Sequence, residues 1–254
     1  MIDLHCHLLP DIDDGPRDVM GSVALAEAAF NDGVKVIAAT PHARDDHPRV
    51  VAGELSGRCE DLRAELRTYE EPMRVVSGAE VDLAWALAAS EDDLMAVTYG
   101  GHGSDILVET PYGLLPPGFE ARLHETFARR GIRVLLAHPE RNRMYQRDPK
   151  RLTALLERGG VLVQVTADAL VGANRGPSSR LARAMVAEGI AHVIATDAHR
   201  PDARGSLADA VDALPRGDRL RGRWMVEDAP AAILAGEPLP APPAGRRVMR
   251  KRFN

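Results

Sequence analysis

The sequence predicts an α/β fold, a distorted TIM-like (β/α)7 barrel, and three observations carry the prediction. Short apolar, β-branched runs recur at 1–4, 34–40, 74–81, 105–110, 133–138, 161–166 and 192–196. Helix-like stretches stand between them, mostly stopped by glycine, so that strand–helix units repeat at a spacing of roughly 25 to 30 residues. No linker of altered composition divides the chain before residue 238, and 254 residues suit a single α/β barrel.

The first run leads into His5 and His7, which, two apart, point to one side of an extended chain. Asp13 and Asp14 follow on a turn that Gly15 and Pro16 enforce, close enough to add hard oxygen ligands to the imidazole pair. An apolar stripe over 22–32 predicts a helix ending at Gly33. The second run passes into Thr40-Pro41-His42 and then a long charged helix over 50–70, and the third run ends in Glu80. Residues 85–98 read as one short helix and a turn, with Asp92 and Asp93 in solvent. The fourth, fifth and sixth runs precede helices over 120–130, 149–158 and 178–188, each followed by glycine, and the seventh ends in Asp197 and His199. Residues 1–240 are expected to form one domain. Residues 241–254, with Arg246, Arg247, Arg250, Lys251 and Arg252, are expected to be a basic, disordered and merely solvated tail.

Composition excludes several classes. A formal charge of −5 gives no sign of a nucleic-acid partner. Cys6 and Cys59 are too few for a disulfide framework and form no Cys-x-x-Cys pair, which favours a reducing compartment. Asp3, His5 and His7 stand where a signal peptide needs positive charge, and no segment holds about eighteen consecutive apolar residues. The expectation is a cytoplasmic protein without a transmembrane segment.

In a parallel barrel all strand C-termini open on one face. His5, His7, His42, Glu80, Glu109, His138, Asp197 and His199 therefore converge, six of the seven runs ending in His, Asp or Glu. One such residue would be an ordinary cap or core group. So many carboxylates and imidazoles in one mouth repel and lose hydration unless cations bind among them. Imidazole and carboxylate without thiolate suit Zn, Mn or Fe, and argue against structural zinc. The candidates, with Asp14 included, exceed what one ion uses, so two or three ions with a bridging carboxylate are expected. Closely spaced ions activate water and hold the attacking and leaving oxygens of a phosphoryl group, which makes phosphoester hydrolysis the expected chemistry.

His5-x-His7, Asp13-Asp14-Gly15-Pro16, Thr40-Pro41-His42, Gly78-Ala79-Glu80, Val108-Glu109-Thr110-Pro111-Tyr112, His138-Pro139-Glu140-Arg141 and Thr196-Asp197-Ala198-His199 follow in an order and spacing that resembles the polymerase-and-histidinol-phosphatase (PHP) superfamily. Within it the resemblance is to the bacterial manganese-dependent tyrosine-protein phosphatases encoded with capsule and exopolysaccharide genes, and it runs from Met1 to about Leu239. The resemblance implies a PHP-type barrel in which His5, His7 and Asp197 hold one metal and share Glu80 with a second. Glu109 and His138 would complete that second site, and Asp14, His42 and His199 would hold a third. Manganese is the implied metal, with iron and zinc as alternatives. Arg141 and Arg204 would bind phosphate, a role that suits the guanidinium fork, with Arg200 as a replacement or helper for Arg204. A phosphotyrosine protein as substrate, a bacterial tyrosine kinase as the partner opposed, and control of exopolysaccharide synthesis are implied as well.

A phenol with a pKa near 10 leaves more readily than an alkyl alcohol, so tyrosine phosphate needs little help from an acid; His47 or Asp13 is available to supply a proton. A cysteine-based mechanism needs an arginine six residues beyond the thiolate, but Ile12 and Glu65 occupy those positions, which excludes it. Cys6 is expected to face away from its two histidine neighbours as packing, and His102, His124 and His192 to be structural or on the surface. Tyr112 either lines the mouth, against a substrate ring, or packs in the core. Two other readings stay open. One is a small-molecule phosphoesterase such as a histidinol-phosphate phosphatase; the other is a non-catalytic metal-binding module or polymerase proofreading appendage, against which the lack of a basic face counts.

Overall fold

The apolar runs fold as strands and the stretches between them as helices, in a computed structural model that describes residues 1–67, 73–171, 176–203 and 205–243. In chain order the elements are β1 (Ile2–Cys6), α1 (Val19–Asn31), β2 (Val36–Ala39), β3 (His42–Ala43), α2 (Leu55–Leu66), β4 (Arg74–Ser77), β5 (Glu80–Val81), α3 (Leu83–Ala88), α4 (Glu91–Ala96), β6 (Asp105–Glu109) and α5 (Phe119–Ala128). They continue with β7 (Arg133–Ala137), α6 (Arg143–Arg147), α7 (Lys150–Glu157), β8 (Val161–Thr166), α8 (Ala167–Leu170), α9 (Pro177–Ala187), β9 (Val193–Ala195), α10 (Leu207–Ala213), α11 (Arg219–Val226) and α12 (Asp228–Leu234).

Every strand pairing among the described residues is parallel. The order is β1-β2-β4 in one sheet and β3-β5-β6-β7-β8-β9 in the other. β3 continues β2 beyond Thr40-Pro41, and β5 continues β4 beyond Gly78-Ala79, so these strands make seven staves. Proline has no N–H to give a ladder, and Pro41 serves through its carbonyl, which accepts from Glu80 N–H at 3.0 Å. First and last staves meet where Asp197 N–H donates to His5 O (2.8 Å) and His7 N–H to Ala198 O (2.9 Å). The expected seven-unit barrel therefore forms. Its distortion lies in the two interrupted staves and this short closure.

Side chains alternate along each stave. Leu4, Ala38, Leu107, Leu135, Leu162 and Val193 pack together within the barrel, and each buried leucine contributes about 1.5–3 kcal/mol. The Tyr99 hydroxyl plugs this end by donating to Leu4 O at 2.8 Å. Val134, Leu136, Val163, Val165 and Ile194 face outward into the larger cluster under the helices. Two positions further along the inward faces the residues turn polar: Leu107 gives way to Glu109, Leu162 to Gln164, and Ala195 to Asp197.

Residues 85–98 depart from the expected single helix and turn. Asp82 caps α3 by accepting from Ala84 N–H (2.7 Å), and Ser90 caps α4 by accepting from Asp93 N–H (3.1 Å) while its hydroxyl donates back to Asp93. That serine restarts a helix where a turn is expected, and makes Asp93 a capping partner. The sequence reading assigns no helix after 188, yet α10, α11 and α12 follow. Each spans only seven or eight residues, about two turns, with Leu207, Val211, Trp224, Met225, Val226 and Ile233 among the buried side chains, so the period is too short to read from sequence. The long helix expected over 50–70 is a 3₁₀ turn (Ala52–Glu54) and α2, and its last three expected residues lie outside the described ones. Arg204 and residues 244–254, which hold all the basic residues of the expected tail, lie outside them too. No helix among the described residues is long and apolar enough to cross a membrane.

Candidate metal centre

His5 on β1 and His7 just beyond it are fully buried, and each ring is fixed from behind. His5 Nδ1 lies 3.2 Å from Gln164 Oε1 and His7 Nδ1 lies 2.7 Å from Asp13 Oδ2. These oxygens accept, so each Nδ1 carries the hydrogen and each Nε2 is left to face inward. The two Nε2 atoms are 3.3 Å apart. Glu80 Oε2 lies 3.2 Å from the first and 3.4 Å from the second, and Asp197 Oδ1 lies at 3.1 and 3.3 Å. Four acceptors aimed at one spot repel unless positive charge stands among them.

A second set of donors adjoins the first. His42 Nδ1 is 3.2 Å from Glu80 Oε2, and both atoms are buried without a hydrogen-bond partner. His42 Nε2 and His199 Nε2 approach Asp14 Oδ1 at 3.7 and 3.2 Å. Among the described residues, His5, His7, Glu80 and Asp197 form one group whose ligand atoms lie within 4.8 Å of one another, and His7, Asp14, His42 and His199 form another. His7, expected at one site only, belongs to both. The loop that carries Asp14 folds tightly over His7, since a β-carbon on Gly15 would lie 2.5 Å from His7 O.

The remaining expected site is not drawn together in the same way. His138 Nε2 is 2.7 Å from Glu80 Oε1, but Glu109, though it lines the same cavity, has both carboxylate oxygens bonded to Arg44 NH1 at 3.1 and 3.3 Å. The guanidinium competes for the oxygens that would complete the set. Arg141 NH1 donates to Asp197 Oδ2 and to the Tyr112 hydroxyl (3.1 Å). Arg44, Tyr112 and Arg141 wall a cavity of about 330 Å3 over the cluster. Arg200, offered as a replacement for Arg204, does not line it: its side chain is 69% exposed and lies 3.8 Å from Asp202.

His138 (φ 35°) and Asp197 (φ 55°) hold left-handed backbone conformations, at a cost of about 1–2 kcal/mol each. Such strain persists where surrounding structure enforces it, here at the ends of β7 and β9.

Charge at the site is finely opposed. Burial disfavours charge on His5, but Glu80 and Asp197 override it and push the imidazole up to about 10. Burial also opposes charge on His7, and Asp13, Asp197 and Glu80 again raise it. Burial and the neighbouring His7 bring His42 down to about 4. Against burial, His5 and His138 hold Glu80 well below the carboxylate range, and His5 and His7 do the same for Asp197. Burial and the Glu80 charge push Glu109 up. The ionised carboxylates draw protons onto His5 and His7, and a divalent cation held by the same atoms would take the place of those protons. The donor set, with no thiolate and with orphaned Glu80 Oε2 and His42 Nδ1, fits such an ion.

The roles of Gln164 and Arg44 were not legible from motif spacing. Nor was that of Asp13, named above as a proton source. Despite burial its carboxyl is held below its ordinary value by His7, and it accepts from Gly15 N–H (3.0 Å) and His42 N–H (3.1 Å), so it orients rather than donates. His47 stacks on His42 with centroids 5.1 Å apart. Cys6 is buried with Sγ 3.5 Å from Ala198 O, and burial pushes the Cys59 thiol up to about 12, so neither is an accessible thiolate. His192 accepts from Val163 N–H at 3.2 Å in a structural role, and Tyr112, 65% exposed, stands at the mouth rather than in the core.

Residues 1–217 match the model of a family described as capsular polysaccharide synthesis, CpsB/CapC. Tyrosine-protein phosphatase YwqE of Bacillus subtilis (strain 168) is 30% identical over 212 residues, covering 80% of this chain and 79% of that one. Tyrosine-protein phosphatase CpsB of Streptococcus pneumoniae is 25% identical over 213 residues, covering 80% and 85%. A crystal structure from work on YwqE and CpsB, described there as unique metal-dependent tyrosine phosphatases, superposes with a TM-score of 0.80 at 27% identity over 95% of this chain and 99% of that one. The phosphotriesterase of Mycobacterium tuberculosis, with a TM-score of 0.53 at 15% identity over 92% and 93%, shares the fold alone.

Proposed function

The chain belongs to the CpsB/CapC family, and from that premise we propose that it is a metal-dependent tyrosine-protein phosphatase, with residues 1–240 as the catalytic unit. The observation that carries the reading is the pair of His5 and His7 Nε2 atoms facing each other and two ionised carboxylates beside a cavity walled by Arg141.

His5, His7, Glu80 and Asp197 would hold one divalent ion and Asp14, His42 and His199, with His7 adjoining, another. Glu109 and His138 would complete a third site around Glu80. Manganese is the favoured metal, with iron and zinc as the alternatives. Such ions, when bound, lower the pKa of water and neutralise charge on phosphoryl oxygens. The chain's own groups do the rest. Gln164 and Asp13 keep hydrogen on the far nitrogens of His5 and His7, so that the near ones stay ligands. Arg141, steadied by Asp197 and Tyr112, grips the phosphate through its guanidinium. The exposed Tyr112 ring offers a face on which the substrate's phenyl ring stacks. A phenolate needs little protonation to leave, and His47, stacked on His42 beside Arg44, is the candidate to supply it. Arg204 remains a second candidate for phosphate.

The substrate in this reading is a phosphotyrosine protein, in particular a bacterial tyrosine kinase met in the cytoplasm, and the outcome is control of exopolysaccharide synthesis. The deciding experiment is a metal count on protein purified with its native ions, followed by turnover of a phosphotyrosine peptide, a phosphoserine peptide and histidinol phosphate. Preference for the first peptide supports the reading. Preference for histidinol phosphate, or bound metal without turnover of any phosphoester, defeats it.

A further inference from the structure

Two arginines wall the cavity, and each rests on a carboxylate expected to serve as a metal ligand. Arg141 holds Asp197, and Arg44 NH1 holds both oxygens of Glu109. Arg44 differs in being gripped from behind as well: Nε donates to Asp46 Oδ1 at 2.6 Å and NH2 to Asp46 Oδ2 at 3.0 Å. A two-point grip of this kind fixes the plane of the guanidinium, and leaves NH1 as the edge presented to the cavity. His47 Nε2, 3.4 Å from NH2, flanks the same group. The side chain is 31% exposed, enough to meet a ligand from solvent yet held in one orientation. Arg44 belongs to the segment after β3 and Arg141 to the turn after β7, the second and fifth of seven staves, so the two guanidiniums enter the mouth from separate parts of its wall.

An anion within the cavity would therefore find a donor already aimed. Glu109 gives the NH1 edge its counter-charge in the present arrangement, and a carboxylate drawn toward a cation releases part of that hold. The phosphoryl group of a monoester is dianionic and offers several acceptor oxygens, more than Arg141 alone can satisfy.

We propose that Arg44 is a phosphate-binding residue, its NH1 edge donating to a non-bridging oxygen of the substrate phosphoryl group while Arg141 donates to another. The proposal rests on the phosphatase reading given above. It competes with a plainer role, in which Arg44 only neutralises Glu109.

Free phosphate separates the two roles. Metal-loaded full-length protein, Arg44→Gln and Arg44→Lys are titrated with inorganic phosphate by calorimetry, their metal content is measured, and each is assayed on p-nitrophenyl phosphate. Arg44→Gln is expected to bind phosphate about tenfold more weakly or worse, at unchanged metal content, and to raise KM more than it lowers kcat. Arg44→Lys should recover part of the affinity as a point charge without the fork. Asp46→Asn, which loosens the grip and keeps the guanidinium, should weaken phosphate by a smaller factor. Unchanged phosphate affinity in Arg44→Gln overturns the proposal, and so does weaker binding fully accounted for by lost metal. A wild-type protein that binds phosphate but turns over no phosphoester sinks the phosphatase reading instead, since the titration judges Arg44 independently of turnover.

Discussion

The two ends of one barrel each bury a carboxylate and treat it in opposite ways. At the end where the strands begin, Asp105 is gripped by Arg133 through Nε (2.5 Å) and NH2 (3.0 Å), and NH2 also donates to Glu237 O (2.9 Å). At the other end Glu80 is just as buried, but imidazoles crowd it and one of its oxygens has no hydrogen-bond partner. One carboxylate is matched, oxygen by oxygen, within the chain. The other sits in a surplus of lone pairs that the chain leaves to be balanced from solution. Asp105 has its counter-ion built into the chain, whereas Glu80 has only imidazoles around it and, among the described residues, meets no guanidinium.

Substitution at the two ends should therefore fail differently. The largest effect is expected at Glu80→Gln and His42→Ala: turnover falls to background and the count of bound ions drops, as metal analysis and phosphopeptide assays would register. Cys6→Ser, on the same stave as His5, should change neither, and loss of activity there with a covalent phosphocysteine would overturn the metal mechanism. Next comes Asp13→Asn, which keeps the size of the group behind His7 but weakens its hold. Metal affinity is expected to fall about 10- to 100-fold, measured by competition with a chelator. Arg133→Met strands Asp105 in the interior and should cost about 2–3 kcal/mol in urea unfolding, while metal content and kcat of the folded fraction hold. If Arg133→Met also strips the metal, the two ends are not independent and the contrast collapses.

The smallest effect at neutral pH belongs to His192, at the Asp105 end. Burial and Arg221 bring its folded pKa down to about 4 from 6.5. Between those values the unfolded chain binds the extra proton, so stability declines as pH drops from 6.5 toward 4. His192→Asn, whose Oδ1 can accept the Val163 N–H in place of Nδ1, should remove this slope, at most ~1.4 kcal/mol per pH unit. Unfolding curves at several pH values would reveal it, and an unchanged slope would place the acid sensitivity in the other end of the barrel.

One side of this contrast, the cluster around Glu80, was legible before any coordinates; the Asp105–Arg133 pair was not. His5, Glu80, Glu109, His138 and Asp197 each close an apolar run, and a parallel barrel gathers the ends of such runs whatever the sequence distance between them. The supporting residues were not legible, because their partners are chosen by three-dimensional register. Gln164 lies 159 positions from His5 and sits in a strand with no motif to mark it. Arg44 could be read as a surface charge until Glu109, 65 positions on, appeared against it. The helices after 188 escaped because each is only seven or eight residues long, about two turns, too short for a period to stand out, and the split of 85–98 because a single serine cap decides it.

The closure between first and last staves has one more consequence. His5 and Asp197 seal the ring through their backbones and face each other through their side chains. During synthesis the amino-terminal half emerges long before residue 197, so each of the two candidate groups lacks a member, Asp197 or His199, until the last stave is made. On the proposed metal reading, the group that needs Asp197 would be complete only once nearly the whole barrel has left the ribosome, and its ion would then come from what the surroundings offer a finished chain.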